Sequence, residues 1–419
     1  MHRFVIVFAF LMAAVPQFAR GQEPILHGPD DWPWWRGPGR DGVANANQKP
    51  PRTWSDKENI LWQTPVPGRG HGSPIVVGDQ IFLATADAKD ETQSVLCYHR
   101  KTGKLLWQTQ VHKGAFEKGG NGKASFASST LACDGERVYI NFLHNKAIYL
   151  TALTRDGKQV WQNKVTDYVL HQGFASSPTV YKSLVLAAAD NKGGAGLLAA
   201  YDRVSGKQVW SVSRPKWPNY ASPIIVNASG SDQLIFTGCE LVTSLDPLTG
   251  KKIWETKGST QETVTSTVTD GKLIIISGGY PKGHVAAIHA DGSAKTAWEN
   301  NTKVYVPSMI HHRGYLYAVM DNGVPVCWEF ATGKEMWKDR LNGSFSASPV
   351  LVGDLLYATN EAGRTFIFKA DSKNFEVIAE NQLGNEAMAT PTICGSRIYM
   401  RVAVMQKGVR QEMLCCIGE

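Results

Sequence analysis

Short stretches in which apolar and polar residues alternate recur along nearly the whole chain, and each is broken within a few residues by a turn. SVLCYHR (94–100) precedes one such turn and LLWQTQV (105–111) follows it; LLAAYDR (197–203) precedes another. Alternation with a period of two between turn residues predicts β-hairpins rather than helices. The hairpins share a phrase: TGKLLW (102–107), DGKQVW (156–161), SGKQVW (205–210), TGKKIW (249–254) and TGKEMW (332–337), with a degenerate copy, DGSAKTAW, ending at Trp298. Glycine supplies the positive φ that each turn needs. With the ILW that ends at Trp62, the repeated tryptophans are Trp62, Trp107, Trp161, Trp210, Trp254, Trp298 and Trp337, spaced by 45, 54, 49, 44, 44 and 39 residues. A period in that range marks a repeat architecture. An indole is too large for one four-stranded sheet to cover, so these residues are expected as structural wedges between neighbouring units.

A second phrase marks the start of each innermost strand: Ser73, Ser129, Ser177, Ser222, Ser266, Ser308, Ser348 and Thr390, most of them followed by Pro or a β-branched residue. Eight starts over residues 60–418 give units of about 45 residues with four strands each. Turn signals every 8 to 12 residues and β-branched runs exclude an α-solenoid. ILWQTPV (60–66) is a strand without a unit, and EMLCCIG (412–418) ends a unit that lacks its fourth strand. Pairing the two removes the open edges. The expected fold is all-β: an eight-bladed β-propeller of four-stranded antiparallel blades, its ring closed by the N-terminal and C-terminal strands.

Residues 1–21 carry a charged start, an apolar run from Phe4 to Val15 and small residues near Gly21, the pattern of a cleaved export signal. Residues 22–59, rich in Trp, Pro and Gly, are expected as an extended arm, and 60–419 as the propeller. No other apolar stretch is long enough to span a bilayer. The expected product is exported, periplasmic or extracellular, and monomeric. The arm's Trp32, Trp34 and Trp35 leave two readings open, docking on the propeller itself or on a partner. Seven cysteines at scattered positions make no disulfide framework. Adjacent Cys415 and Cys416 would point to opposite faces of a strand.

Catalytic signatures are absent: no HExxH, GxSxG, CxxC, phosphate-cradling or calcium-loop spacing occurs. Adjacent His311 and His312 would face opposite ways, so no metal site is assigned. A formal charge of +7, unclustered, gives no footprint for nucleic acid. What remains is a face. Short turns collect on one side of the ring, whereas long segments such as 112–127, 165–175, 211–221 and 278–285 collect on the other. Residues just before the innermost strands would surround the channel there: His71, Phe126, His171, Phe174, Tyr220, Glu262, Tyr305, Phe345 and Glu386. Two readings stand open, a site for a ligand or peptide and the plug of side chains that any channel needs.

The Gly-Lys-x-x-Trp repeat with Ser-Pro strand starts resembles the pyrroloquinoline-quinone-like (PQQ-like) propeller superfamily. WPWWRGPGRDG followed by NILWQTPVPGRGHGSPIVVGDQIFL is similar to exported PQQ-like propeller proteins of planctomycetes. The resemblance implies one of two functions. Quinoprotein dehydrogenases of the superfamily hold PQQ on the axis beneath a disulfide between adjacent cysteines, with calcium on Glu and Asn and an Asp as base. The propeller lipoprotein of the outer-membrane β-barrel assembly machinery is instead a non-catalytic scaffold. Here the adjacent cysteines fall in the closing blade's third strand, and the first cysteine is Cys97, so no lipid-attachment Cys is present. The expectation is a non-catalytic scaffold without cofactor that binds a protein or polymer through its long-loop face. The alternative is a PQQ- and calcium-dependent dehydrogenase of alcohols or sugars.

Overall fold

Period-two patterning becomes 32 strands in eight four-stranded antiparallel sheets, with no helix among the described residues. A computed structural model describes residues 27–194 and 196–419; the expected export signal lies outside them. Blade 1 runs outward through Ile75–Val77, Gln80–Asp87, Thr92–His99 and Leu105–Lys113. Blades 2 to 7 repeat that order from innermost strands Ala132–Cys133, Thr179–Tyr181, Ile224–Ala228, Val268–Thr269, Ile310–His312 and Val350–Val352. Blade 8 is composite. Thr392–Cys394, Arg397–Gln406 and Val409–Ile417 form its inner three strands, and Ile60–Val66 is the outermost, in register from Ile60 opposite Ile417 to Val66 opposite Glu412. The ring is therefore closed by the two ends of the propeller segment.

Blades adhere through apolar faces on the middle strands. Between blades 1 and 2, for example, Ile75, Phe82 and Val95 meet Leu131, Val138 and Ile140, all fully buried. Each repeated tryptophan then reaches the following blade. Trp62 rests on Gly103, Trp107 on Gly157, Trp161 on Gly206, Trp210 on Gly250 and Trp298 on Gly333; a Cβ on any of these glycines would lie within 2.8 Å of the indole. In six of the seven the indole N–H donates to a backbone carbonyl of the same neighbour, Trp62 to Arg100 (3.2 Å), Trp107 to Arg155 (3.0 Å) and Trp337 to Asp371 (2.7 Å) among them, whereas Trp254 donates to Gln233 Oε1 of its own blade (3.0 Å).

The arm docks on the chain's own short-turn face. Trp32 pairs in both directions with the backbone of Val76, and the Pro33 carbonyl accepts from Cys133 N–H. Buried Arg36 donates to Met309 O (2.5 Å) and Pro349 O (3.4 Å), and Arg40 to Val180 O (2.5 Å). Burial draws both guanidinium pKa values down to about 10, still cationic at neutral pH. Ala44 N–H then donates to Leu351 O and Trp54 N–H to Asn381 Oδ1. Innermost strands of blades 1, 2, 3 and 7 are thus tied from below by one segment. Trp32, Trp34 and Trp54 are buried against the propeller.

Candidate functional site

Two residues before each innermost strand stands a hydroxyl, and six of these are linked around the axis by backbone N–H groups. Ser73 N–H donates to Thr130 Oγ1, Thr130 N–H to Ser177 Oγ and Ser177 N–H to Ser222 Oγ; on the other side Ser266, Ser308 and Ser348 donate in turn to Ser308, Ser348 and Thr390, all at 2.9–3.0 Å. In blade 2 the belt residue is Thr130. Ser129, read from the sequence as the strand start, is one residue off register and donates instead to Ser176 O. The belt has two open joints, after Ser222 and after Thr390. At the first, Ser266 Oγ accepts from the arm's Trp35 Nε1 (2.8 Å); at the second, Ser73 Oγ is buried without a partner.

Above the belt lies a cavity of about 500 Å³, floored by Trp35 and open on the long-loop face. Extended backbone returns every second side chain to the same side. The residue two positions before each hydroxyl therefore also lines the cavity, giving His71, Ser128, Ala175, Tyr220, Val264, Val306, Ser346 and Met388. Of the residues singled out from sequence, His71, His171, Phe174, Tyr220, Glu262 and Tyr305 are brought together around this cavity. Phe126 stacks on Phe116 (4.2 Å between centroids) and lines a smaller neighbouring cavity of about 60 Å³. Phe345 is buried against Phe366 between blades 6 and 7. Glu386 turns to Arg410 (2.8 Å) and Arg69 (3.7 Å).

The polar wall is built by blades 3 to 6. A buried network of Arg214, Asp190 and Asn219 holds the turn before Tyr220: Asn219 Oδ1 accepts Thr263 N–H (2.9 Å), and Tyr220 N–H donates to Thr263 O (3.0 Å). Tyr220 and Glu262 are thereby fixed side by side. Asp321 accepts the N–H groups of Tyr305 and Val306, and Gly279 leaves room for the Tyr305 ring, which a Cβ there would approach to 2.3 Å. His171 Nδ1 lies 3.0 Å from the Tyr220 hydroxyl and 3.5 Å from Glu262 Oε1, and the Tyr305 hydroxyl donates to Glu262 Oε2 (3.3 Å). Burial, with Glu262 next in effect, pushes the Tyr220 and Tyr305 hydroxyl pKa values up, so both stay protonated donors.

On the opposite arc, burial together with Arg69, Arg401 and Arg410 lowers the His71 pKa to about 3, leaving the ring neutral at physiological pH. Its Nε2 is buried without a partner. Lys123, from the long segment after blade 1, spans the mouth to Glu361 (2.7 Å). Sequence reasoning missed Trp35, Lys123, Tyr280 and the small members of the upper ring, Ser128, Val264, Val306, Ser346 and Met388. The alternation from each Ser or Thr would have found that ring; the sequence marks Trp35 only as one of the arm's tryptophans that dock on the propeller or a partner, and nothing local marks Lys123.

The residues do not suit PQQ and calcium. Calcium takes six to eight oxygen ligands, usually several of them carboxylates, whereas the cavity wall offers one, Glu262, and no group of three or more His, Cys, Asp or Glu able to hold a metal occurs among the described residues. A quinone bearing three carboxylates would face Glu262, with Lys123, the lysine on the wall, already paired. Cys415 and Cys416 are free thiols in the third strand of blade 8, opposite Gln63 and Trp62, and neither lines the cavity.

A closed ring of eight tryptophan-wedged blades, hydroxyl-belted at its axis and blind at one end, is a propeller of the PQQ-repeat class. The chain belongs to the family described as outer membrane protein assembly factor BamB, which matches it over residues 53–167, 91–339 and 281–374. It is similar to the outer membrane protein assembly factor BamB of Burkholderia pseudomallei, 23% identical over 80% of this chain and 82% of that one. It is also similar to the tetrathionate hydrolase of Acidithiobacillus ferrooxidans, 25% identical over 72% of this chain but spanning 65% of that protein. Among solved structures, a europium-containing methanol dehydrogenase superposes with a TM-score of 0.67 at 13% identity, covering 93% of this chain and 98% of that one. At that identity the likeness concerns the fold alone.

Proposed function

We propose that this chain is an exported, non-catalytic binding scaffold that holds a protein or polymer partner on its long-loop face, at the mouth of the central cavity. One observation carries the reading: the arm occupies the short-turn face and floors the channel with Trp35, so long loops and a blind, aromatic-lined cavity meet at a single working end. Family membership and similarity to an assembly factor over 80% of this chain and 82% of that protein support it. No helix among the described residues is long and apolar enough to cross a membrane. The test is site-specific photo-cross-linking in envelope extracts of the native host, with the photoreactive residue at Gln172 on the mouth or at Thr249 on the short-turn face. A discrete adduct from Gln172 and none from Thr249 is expected. Equal labelling from both, or none from either, would overturn the reading.

A further inference from the structure

Among the described residues five carboxylates are buried, and four of them are matched by an arginine; Asp31 of the arm meets Arg100 at 3.5 Å. Asp134 meets Arg203 at 2.6 Å, Asp190 meets Arg214 at 3.2 Å and Glu412 meets Arg401 at 2.5 Å. Glu262 is the exception. Only 5% of the residue is exposed, yet no lysine or arginine lies within ion-pair distance among the described residues. Its partners are the Tyr305 hydroxyl at 3.3 Å and His171 Nδ1 at 3.5 Å, beyond good hydrogen-bond length. A carboxylate taken out of water without a counter-charge is costly, and elsewhere this chain avoids that cost. Here the carboxylate borders a cavity instead.

The cavity offers what a cation needs on its other sides. Tyr220, Tyr305, Tyr280 and Phe174 line the same space as Glu262, and aromatic faces attract ammonium and guanidinium groups through the ring quadrupole. The volume of about 500 Å³ falls in the range of small-ligand sites. Of the other charged groups, Lys123 is held by Glu361, Arg69 and Arg410 on the far arc are paired with Glu386, and Lys303 lies over one face of the Tyr305 ring (5.5 Å) without coming within ion-pair distance of Glu262. A metal ion would find too few donors.

We infer that the wall formed by Glu262, Tyr220, Tyr305 and His171 receives an organic cation, a primary ammonium or guanidinium group, inserted from the open mouth. The inference rests on the cavity mouth being the working end; on the scaffold reading the cation is a lysine or arginine side chain of the bound partner. Its carboxylate anchor is Glu262, and the tyrosine rings select an organic cation over a hydrated inorganic one.

The probes are n-butylammonium and n-butylguanidinium, titrated by calorimetry against the mature protein, with n-butanol as the uncharged control. Saturable binding of the cations, at least about tenfold tighter than the alcohol, is expected, with a loss of about tenfold or more in Glu262→Gln. Glu262→Gln keeps the side-chain shape and an oxygen for the Tyr305 hydroxyl while removing a buried carboxylate that no lysine or arginine matches, so its melting temperature should not fall. Butanol binding as well as butylammonium, a comparison that needs no variant, would overturn the proposal. So would a folded Glu262→Gln protein that binds the ammonium undiminished. A Gly-Ser-Lys-Ser-Gly peptide with its N-terminus acetylated, and the same peptide acetylated also on Nε, separate the sources of the cation. Tighter binding of the free-lysine peptide than of butylammonium assigns a side chain on a partner, and weaker binding assigns a free amine; both keep the cation site. Failure here with Gln172 cross-links intact would remove this inference alone. Cation binding without any cross-link would remove the scaffold reading alone.

Discussion

Each glycine in the repeated turn does two jobs, of which the sequence advertises one. Gly103 adopts φ of 67°, where any other residue is strained, and it also seats the ring of Trp62, which a Cβ would approach to 2.4 Å. The second job was illegible because the tryptophan belongs to the previous blade, and in this case to the strand that closes the ring. Gly103→Ala should therefore cost more than the roughly 1–3 kcal/mol of a left-handed non-glycine residue, since the indole must also move. Urea unfolding followed by tryptophan fluorescence measures this. A variant as stable as the parent would show that Trp62 does not depend on that seat.

Strand starts were readable as a repeated hydroxyl, yet the reason for the hydroxyl lies between elements. The blade-to-blade belt needs an acceptor at one position per blade, and Ser and Thr supply it equally; with two adjacent hydroxyls in blade 2, the sequence pattern points to Ser129, whereas Thr130 is the one that accepts from Ser73. The same register accounts for part of what lines the cavity. His71 and Tyr220 stand two before a belt hydroxyl and face the axis, whereas Phe345 stands three before Ser348 and points between blades. Aromatic character alone does not decide this, and parity decides it only in part: Phe174 and Tyr305 also stand three before a belt hydroxyl yet line the cavity, Tyr305 where Asp321 holds its backbone N–H. The belt also makes a paired test. Ser308→Ala would strand the buried Ser266 N–H and should cost about 1–3 kcal/mol. Ser73→Ala removes an oxygen that has no partner, and its stability should stay within about 0.5 kcal/mol of the parent. Equal costs at the two positions would show that the belt bonds contribute nothing specific.

Over the whole ring, seven repeated tryptophans serve eight blades, and the deficit falls in blade 7. The cross-strand partner of the wedge tryptophan is Cys97 for Trp107, Ala152 for Trp161 and Cys327 for Trp337; the equivalent partner in blade 7 is Ile367, and opposite it stands Ala379. The arm makes up the difference. Trp54, 3% exposed, belongs to the core cluster on which Ala379 packs, and its backbone is pinned to the same strand by Asn381, whose side chain accepts from Trp54 N–H (2.8 Å) and donates to Arg52 O (2.9 Å). A reader of the sequence sees an arm with tryptophans and a blade without one, but only the folded ring brings Trp54 to the outermost strand of blade 7, at Asn381. Trp54→Ala should thus behave as the loss of a wedge and not as trimming of a surface arm, at about 3–5 kcal/mol by denaturant unfolding. Adding Ala379→Trp in that background should restore part of the loss, because the blade would then carry its own indole in the vacated space. A cost under about 1 kcal/mol for the single variant, or no recovery in the double, would mean that the arm merely covers blade 7. Recovery would make the arm a structural member of the ring, binding its underside and leaving the long-loop end as the face free to receive a partner.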